Sequence, residues 1–271
     1  MGISNFLGLF GKGKRQPCAA DKQLAAHCQI CLAMAPYLDT VDFNKSCEEV
    51  RGTFLPPSNI PVHYYLCAQC GFCFAPEFYS WPVKKFAEEI YNNDYELVDP
   101  DYKFTRPTAN AEFIDAQFGK SRHLLRHLDY GGGSGLLSRN LQQKGWTSES
   151  YDPFVNPELS IEDLGSFDLV TAFEVFEHVP DIDALLDNLR MLCKPDGMIL
   201  FSTLVSDGHI ATGHRLDWWY ASPRNGHISL FSADSLNQCM TKNGLRLGSF
   251  SNNLHLACRE LPAWAGHLVK T

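Results

Sequence analysis

No apolar run in this chain approaches the roughly 20 residues that a membrane-spanning helix needs. Positive charge is also short. Against 31 Asp and Glu there are 23 Lys and Arg, a formal net charge of −8, which counts against a nucleic-acid binder relying on bulk charge. The start does not read as a secretory leader, because the apolar stretch Ile3–Phe10 precedes the basic Lys12, Lys14 and Arg15 rather than following them. The myristoylation pattern fails at position 6, which is Phe instead of Ser or Thr. No internal repeat or low-complexity tract stands out. Residues 1–24 read as a disordered tail, with a short membrane-surface anchor as the alternative. The remaining chain, within 271 residues of 45% hydrophobic content, is long enough for a sizeable core and two domains.

Cysteine is not scarce. Ten cysteines without a leader point to a reduced, cytoplasmic setting and a metal rather than to disulfides. Cys28-Gln29-Ile30-Cys31 and Cys67-Ala68-Gln69-Cys70 are two Cys-x-x-Cys knuckles, and Gly71 suits the tight turn after the second. Four thiolates close a tetrahedral site with no open position, so Cys28, Cys31, Cys67 and Cys70 are the candidate ligands of a structural zinc. His27 and Cys73 are spare candidates, and Cys18 and Cys47 read as bystanders. A small zinc ribbon is expected over residues 25–82, with Pro56, Pro57 and Pro61 in an excursion between the knuckles. A helical connector follows over 83–120, with helices at Val83–Tyr91 and Thr108–Phe118 and a loop-like stretch holding Tyr91, Tyr95 and Tyr102.

From residue 121 to 271 strands and helices alternate, the signature of an α/β fold with a parallel sheet. Strands are expected at 123–129, 147–151, 167–173, 197–204, 245–250 and 253–259, and helices at 135–145, 181–193 and 233–243. Too few residues separate Asp152 from Phe167 for a full crossover, so that unit is trimmed. The two last strands, joined by a turn at Asn252-Asn253, form an antiparallel pair on an otherwise parallel sheet. The run Leu128-Asp129-Tyr130-Gly131-Gly132-Gly133-Ser134-Gly135 lies at the first strand-to-helix turn, and Asp152 follows Gly135 by 17 positions at the end of the next strand. That spacing suits a nucleotide-binding fold, with the loop under the ligand and a carboxylate on the ribose hydroxyls.

Asp129 ahead of Gly131-x-Gly133-x-Gly135 resembles motif I of the class I S-adenosylmethionine-dependent methyltransferases. The segment Phe167-Asp168-Leu169-Val170-Thr171-Ala172-Phe173-Glu174-Val175-Phe176-Glu177-His178-Val179 is similar to that family's fourth strand. Lys194-Pro195-Asp196-Gly197 is similar to its turn into strand five. The resemblance covers roughly residues 105–260. It implies a doubly wound, Rossmann-like methyltransferase sheet with S-adenosylmethionine as cofactor. By the same resemblance Asp129 holds the methionine ammonium, Gly131, Gly133 and Gly135 lie against the methionine and ribose, and Asp152 takes the ribose hydroxyls. Asp168 reads as structural, and a residue of 160–165 meets the adenine. A four-cysteine ribbon joined to such a domain resembles the sugar C-methyltransferases of bacterial deoxysugar pathways, which carry a further C-terminal domain.

Methyl transfer from a sulfonium is accelerated largely by positioning, and an oxygen nucleophile or acidic carbon also needs a base. His178, His209, His214 and His227 are candidates. His227, in the segment after strand five, is favoured, with Glu174 and His178 converging on it from the end of strand four. Glu174, Glu177 and His178 would share one face if helical. The same Glu-x-x-Glu-His pattern binds a divalent metal in ubiquinone-pathway O-methyltransferases and small-RNA 2′-O-methyltransferases. The expected activity is O- or C-methylation of a small-molecule or glycan-precursor acceptor, with nucleic acid disfavoured as a partner. RNA or protein methylation, and a non-catalytic S-adenosylmethionine-binding module, are the alternatives.

Overall fold

The structure, a computed structural model, describes residues 24–268; apart from Leu24, the predicted tail lies outside them. Two sheets organise the chain. The larger has six strands: β5 (Arg126–Tyr130), β6 (Thr147–Tyr151), β7 (Phe167–Phe173), β8 (Cys193–Ser202), β10 (Arg246–Ser249) and β11 (Leu254–Cys258), in the order β10-β11-β8-β7-β5-β6. The four strands β8, β7, β5 and β6 are parallel, while β11 runs antiparallel to both β8 and β10. Leu169, Val170, Thr171 and Ala172 of central β7 are all buried, as a strand covered on both faces requires. The first strand begins at Arg126, not at residue 123 as predicted. Residues Gly119–Leu124 form a 3₁₀ turn, and Leu124, apolar but 68% exposed, does not enter the sheet.

Helices α4 (Leu136–Gln143), α5 (Ile182–Leu192) and α6 (Ala233–Lys242) cover this sheet. Helix α5 starts where Asp181 accepts the Ala184 N–H at 2.9 Å, satisfying one orphan donor of the first turn. Its Ile182, Leu185, Leu186, Leu189 and Leu192 are buried, the stripe that helical spacing presents to a core. Helix α6 starts with a reciprocal cap between Ser232 and Ser235.

The smaller sheet changes the domain picture. Strands β1 (Ala25–His27), β2 (Met34–Asp42), β3 (Pro61–Leu66) and β4 (Cys73–Phe74) run antiparallel, and its fifth strand is β9 (Ser229–Leu230), which pairs with β4. The sheet begun within 25–82 therefore does not close on itself; it takes a strand from residues 229–230, within the span of the glycine-loop domain. The connector holds α1 (Val83–Glu89), α2 (Tyr95–Val98) and α3 (Thr105–Phe118), so the stretch read as a loop contains a short helix. One buried cluster joins Tyr64, Phe78, Phe86, Ile90 and Tyr95 to Trp218, Tyr220 and Ile228. No helix of the described residues is long and apolar enough to cross a membrane.

Candidate active site

Strand β5 delivers the glycine loop to the carboxyl edge of the sheet. Gly131, Gly133 and Gly135 take φ of 74°, 54° and 75°, where a Cβ is strained. Gly132 is held to glycine by space instead. A Cβ there would lie 2.3 Å from Ser150 Oγ and 2.5 Å from Asp129 Oδ2. Gly132→Ala is accordingly expected to cost about 1–3 kcal/mol, the usual range for overpacking a tight site, read by chemical denaturation. An unchanged midpoint would mean that the loop relaxes freely.

The loop and the end of β6 form one unit. The Gly131 N–H donates to the Tyr151 carbonyl at 2.8 Å. Asp152 Oδ2 accepts the Gly133 N–H at 2.9 Å and its Oδ1 accepts the Phe154 N–H at 2.8 Å. Each carboxylate oxygen retains capacity for a further donor, so a diol can be added without breaking the turn. A cavity of about 200 Å³ borders Gly133, Gly135, Ser150, Val155 and Asn156. Asp129, buried beside the loop, accepts from Thr171 Oγ1 at 2.9 Å. Burial raises its carboxyl to about 7, with Thr171 opposing and the Asp152 charge adding to the rise. Asp168 accepts the Arg126 N–H and Lys194 Nζ, a structural clamp between strands.

Beyond β7 and β8 a second cluster forms. The segment Glu174–His178 is not an α-helix: Glu174 sits at φ 52°, and Phe176–His178 is a 3₁₀ turn. That backbone turn sends the Glu174 carboxylate to Ser202 and Arg106, outside the group that Glu177 and His178 form. Its Oε1 accepts from Ser202 Oγ at 2.7 Å, while its Oε2 lies 3.9 Å from Arg106 Nη1. In its place the fold brings His227, so that ligand atoms of Glu177, His178 and His227 lie within 4.8 Å of one another. The two imidazoles meet edge to face with centroids 4.8 Å apart.

Electrostatically this cluster is set for neutral groups. Burial, then the Glu174 charge, raises Glu177 well above the usual carboxylate range, and Glu177 Oε1 accepts from the Tyr220 hydroxyl at 2.5 Å. Burial, then the Arg106 charge, lowers His178 to about 3. Burial, then His178, holds His227 well below its ordinary value. His227 Nδ1 lies 2.8 Å from the Tyr220 carbonyl; a carbonyl only accepts, so the proton sits on Nδ1 and Nε2 carries the lone pair. Glu177 Oε2 and His178 Nδ1 are buried without a hydrogen-bond partner.

Several neighbours carried no sequence signal. Tyr64, wholly buried on β3, donates to the His227 carbonyl at 2.7 Å. Cys47, read as a bystander, puts its Sγ 3.7 Å from His227 Nδ1, and burial pushes its thiol up to about 12. Conversely, His209 stacks on Trp218 and His214 is exposed, so neither joins the cluster.

The four knuckle cysteines converge as well. Cys28 and Cys70 sulfurs are 3.6 Å apart, those of Cys31 and Cys67 are 3.3 Å apart, and all four lie within 4.8 Å of one another. Zinc–sulfur bonds of about 2.3 Å put tetrahedral sulfurs about 3.8 Å apart, so the thiols fit that ion. The knuckles turn alike: Leu32 takes φ 63° after the first, as Gly71 takes 73° after the second. Spare candidates Cys73 and His27 lie outside the group of four. The site rests on the larger domain, for Ser232 Oγ donates to the Cys70 carbonyl at 2.6 Å and Lys242 Nζ to the Ile30 carbonyl at 3.0 Å.

A sheet of this topology with a glycine loop between two buried carboxylates defines a class of nucleotide-handling α/β proteins, and wider similarity narrows the class. The profile described as "Methyltransferase domain" matches residues 102–249, more than half of the chain. The chain belongs to that methyltransferase family. It is similar to the Ubiquinone biosynthesis O-methyltransferase of Colwellia psychrerythraea, 32% identical over 100 residues that cover 28% of this chain and 41% of that protein. The corresponding protein of Xanthomonas oryzae pv. oryzae is 36% identical over 104 residues, covering 29% and 43%. The chain thus spans less than half the length of the curated relatives it matches. Among solved structures, magnesium protoporphyrin IX methyltransferase from Synechocystis PCC 6803 with bound S-adenosylhomocysteine is similar at 14% identity and a TM-score of 0.41, covering 68% of this chain and 98% of that one.

Proposed function

We propose that the protein transfers a methyl group from S-adenosylmethionine to oxygen or carbon of a small-molecule acceptor. The observation that carries this reading is the unit of Asp129, the glycine loop and Asp152, set beside a neutral histidine pair at the same sheet edge. When bound, S-adenosylmethionine supplies a methyl group already activated on sulfur. Asp152 accepts the ribose hydroxyls and Asp129 faces the ammonium. His227, its Nδ1 proton held by the Tyr220 carbonyl, presents Nε2 to take a proton from the acceptor. Glu174, through Ser202 and Arg106, shapes the mouth rather than the base. The acidic balance of the chain favours a small molecule over RNA.

Two metals belong to the same reading. A structural zinc on Cys28, Cys31, Cys67 and Cys70 is supported by their mutual distances, and a reducing, cytoplasmic setting is supported by nine free cysteines among the described residues. A divalent ion at Glu177, His178 and His227 is the second reading of the catalytic cluster, favoured by the unpartnered Glu177 Oε2 and His178 Nδ1. Such an ion would polarise an acceptor oxygen.

Calorimetric titration with S-adenosylmethionine tests the cofactor assignment. The chain should bind it, and Asp152→Ala should weaken binding by about 1.5–3 kcal/mol, the usual worth of hydrogen bonds to a charged group. Unchanged affinity in the variant removes the ribose assignment, and binding of a nicotinamide nucleotide instead overturns the reading.

A further inference from the structure

Beneath the glycine loop, four polar side chains line up across three strands in an otherwise apolar layer. Ser148 on β6, His127 on β5, Thr171 on β7 and Asp129 on β5 are all buried, His127 and Thr171 completely. Ser148 Oγ lies 2.7 Å from His127 Nδ1, and His127 Nε2 lies 3.0 Å from Thr171 Oγ1. Thr171 Oγ1 in turn donates to Asp129 Oδ1 at 2.9 Å. We propose that Ser148, His127 and Thr171 are positioning residues for the cofactor, a buried hydrogen-bonded relay that orients Asp129 and favours its ionised form when the ligand ammonium arrives.

Proton counting supports one direction for the relay. A threonine hydroxyl has a single hydrogen. Its alternative acceptor, the Leu128 carbonyl, is at 3.4 Å, farther than Asp129 and uncharged. With that hydrogen on Asp129, Thr171 can only accept from His127, so the imidazole carries its proton on Nε2. Nδ1 is then bare and accepts from the Ser148 hydroxyl. Each donor is used once, and all the bonds point toward the carboxylate. His127 must stay neutral for this, and burial ensures it by lowering its pKa to about 3.

A relay ending on Asp129 matters because, among the described residues, only the Thr171 hydroxyl favours its charge. Burial disfavours the carboxylate and Asp152, at the end of β6, adds repulsion; Thr171 opposes both. Arg139 on α4 is exposed and donates to the Ser134 carbonyl, and His127 on Asp129's own strand is neutral. Removing the Thr171 hydroxyl leaves the carboxylate with burial and Asp152 alone. The sign follows. Below the pH at which the free protein protonates Asp129, ligand binding must expel a proton and affinity falls as pH falls. Without the relay that break moves upward, so the loss is greatest at and below the parent's break and shrinks at higher pH.

The inference rests on the S-adenosyl ligand reading, and its test separates the two. S-adenosylhomocysteine, which retains the ammonium, is titrated into the full chain from pH 6 to 9 by calorimetry. Thr171→Val, close in shape but lacking the hydroxyl, should bind roughly tenfold more weakly at pH 7, the low end for a lost bond to a charged group. Its affinity break should lie about one pH unit higher, and Thr171→Ser should restore the parent profile. An equal loss at every pH, or no loss, overturns the relay. Long-range proton–nitrogen NMR on the unliganded parent protein gives the decision without any variant. His127 should carry its proton on Nε2, and a proton on Nδ1 overturns the proposal whether or not Thr171→Val folds. Failure of the parent chain to bind S-adenosylhomocysteine sinks the cofactor reading instead.

Discussion

Cys70→Ser is expected to release the metal and to take the active site down with it, rather than loosening a detachable ribbon. Cys28, Cys67 and Cys70 belong to the same buried cluster as Phe72, Phe176, Phe201, Phe231 and Leu236, so the thiols are part of the main core. The knuckle carrying Cys70 abuts α6, since Ser232 caps that helix and also donates to the Cys70 carbonyl. From Leu66 the same ribbon leads through β4 to β9, the strand that directly follows His227 and Ile228. Structural zinc in small modules contributes about 10–16 kcal/mol to folding, comparable with the whole stability of a domain. The parent chain should contain one zinc by elemental analysis, and the variant should lose zinc, cooperative melting and methyl transfer together. A variant that keeps its melting transition and activity, or a parent free of zinc when prepared without chelator, would end the idea.

His227→Ala should reduce turnover by about 10²–10⁴-fold, the range for removing a general base, with cofactor affinity nearly unchanged. Binding should survive because, on the proposed reading, the donor site is built on Asp129, the glycine loop and Asp152, apart from the His227 cluster. Catalysis fails because, among the described residues, no other nitrogen stands in the same place. His178, the nearest, lies edge-on to His227 and has no hydrogen-bond partner on Nδ1 to set its tautomer. The measurement is single-turnover methyl transfer with saturating S-adenosylmethionine, repeated in EDTA. Loss in EDTA while elemental analysis still finds the zinc of the four cysteines, with rescue by a divalent cation and matched by Glu177→Gln, would transfer the work to a metal. Full activity both in the histidine variant and in EDTA leaves neither role standing.

What was legible in the sequence is what local chemistry dictates. The packing of Asp129, the glycine loop and Asp152 into one turn was visible because a tight strand-to-helix turn tolerates few residue types. The convergence of the two knuckles was visible because the Cys-x-x-Cys spacing turns both thiols of each pair to one side. What was hidden depended on distant parts of the chain. Strand β9 is two residues long, and nothing in Ser229-Leu230 announces a partner in Cys73-Phe74. Cys47 is a lone cysteine until the fold lays it against His227. The shared face for Glu174, Glu177 and His178 assumed a helix, whereas the left-handed backbone at Glu174 sends its carboxylate to Ser202. Histidine 127 looked like one more residue of a strand, and only the register of β5 between β6 and β7 sets it between Ser148 and Thr171.

The pairing of β4 with β9 also bears on how the chain is born. Synthesis delivers Cys70 about 160 residues before Leu230, which at 5–20 residues per second is roughly 10–30 s. Throughout that interval β4 offers the growing chain an unpaired edge, the feature by which nascent sheets capture wrong partners. Both knuckles have by then emerged. The four thiols are then together on the emerged chain, while the contacts of Ser232 and Lys242 that seat their site on the larger domain wait for residues still to be made.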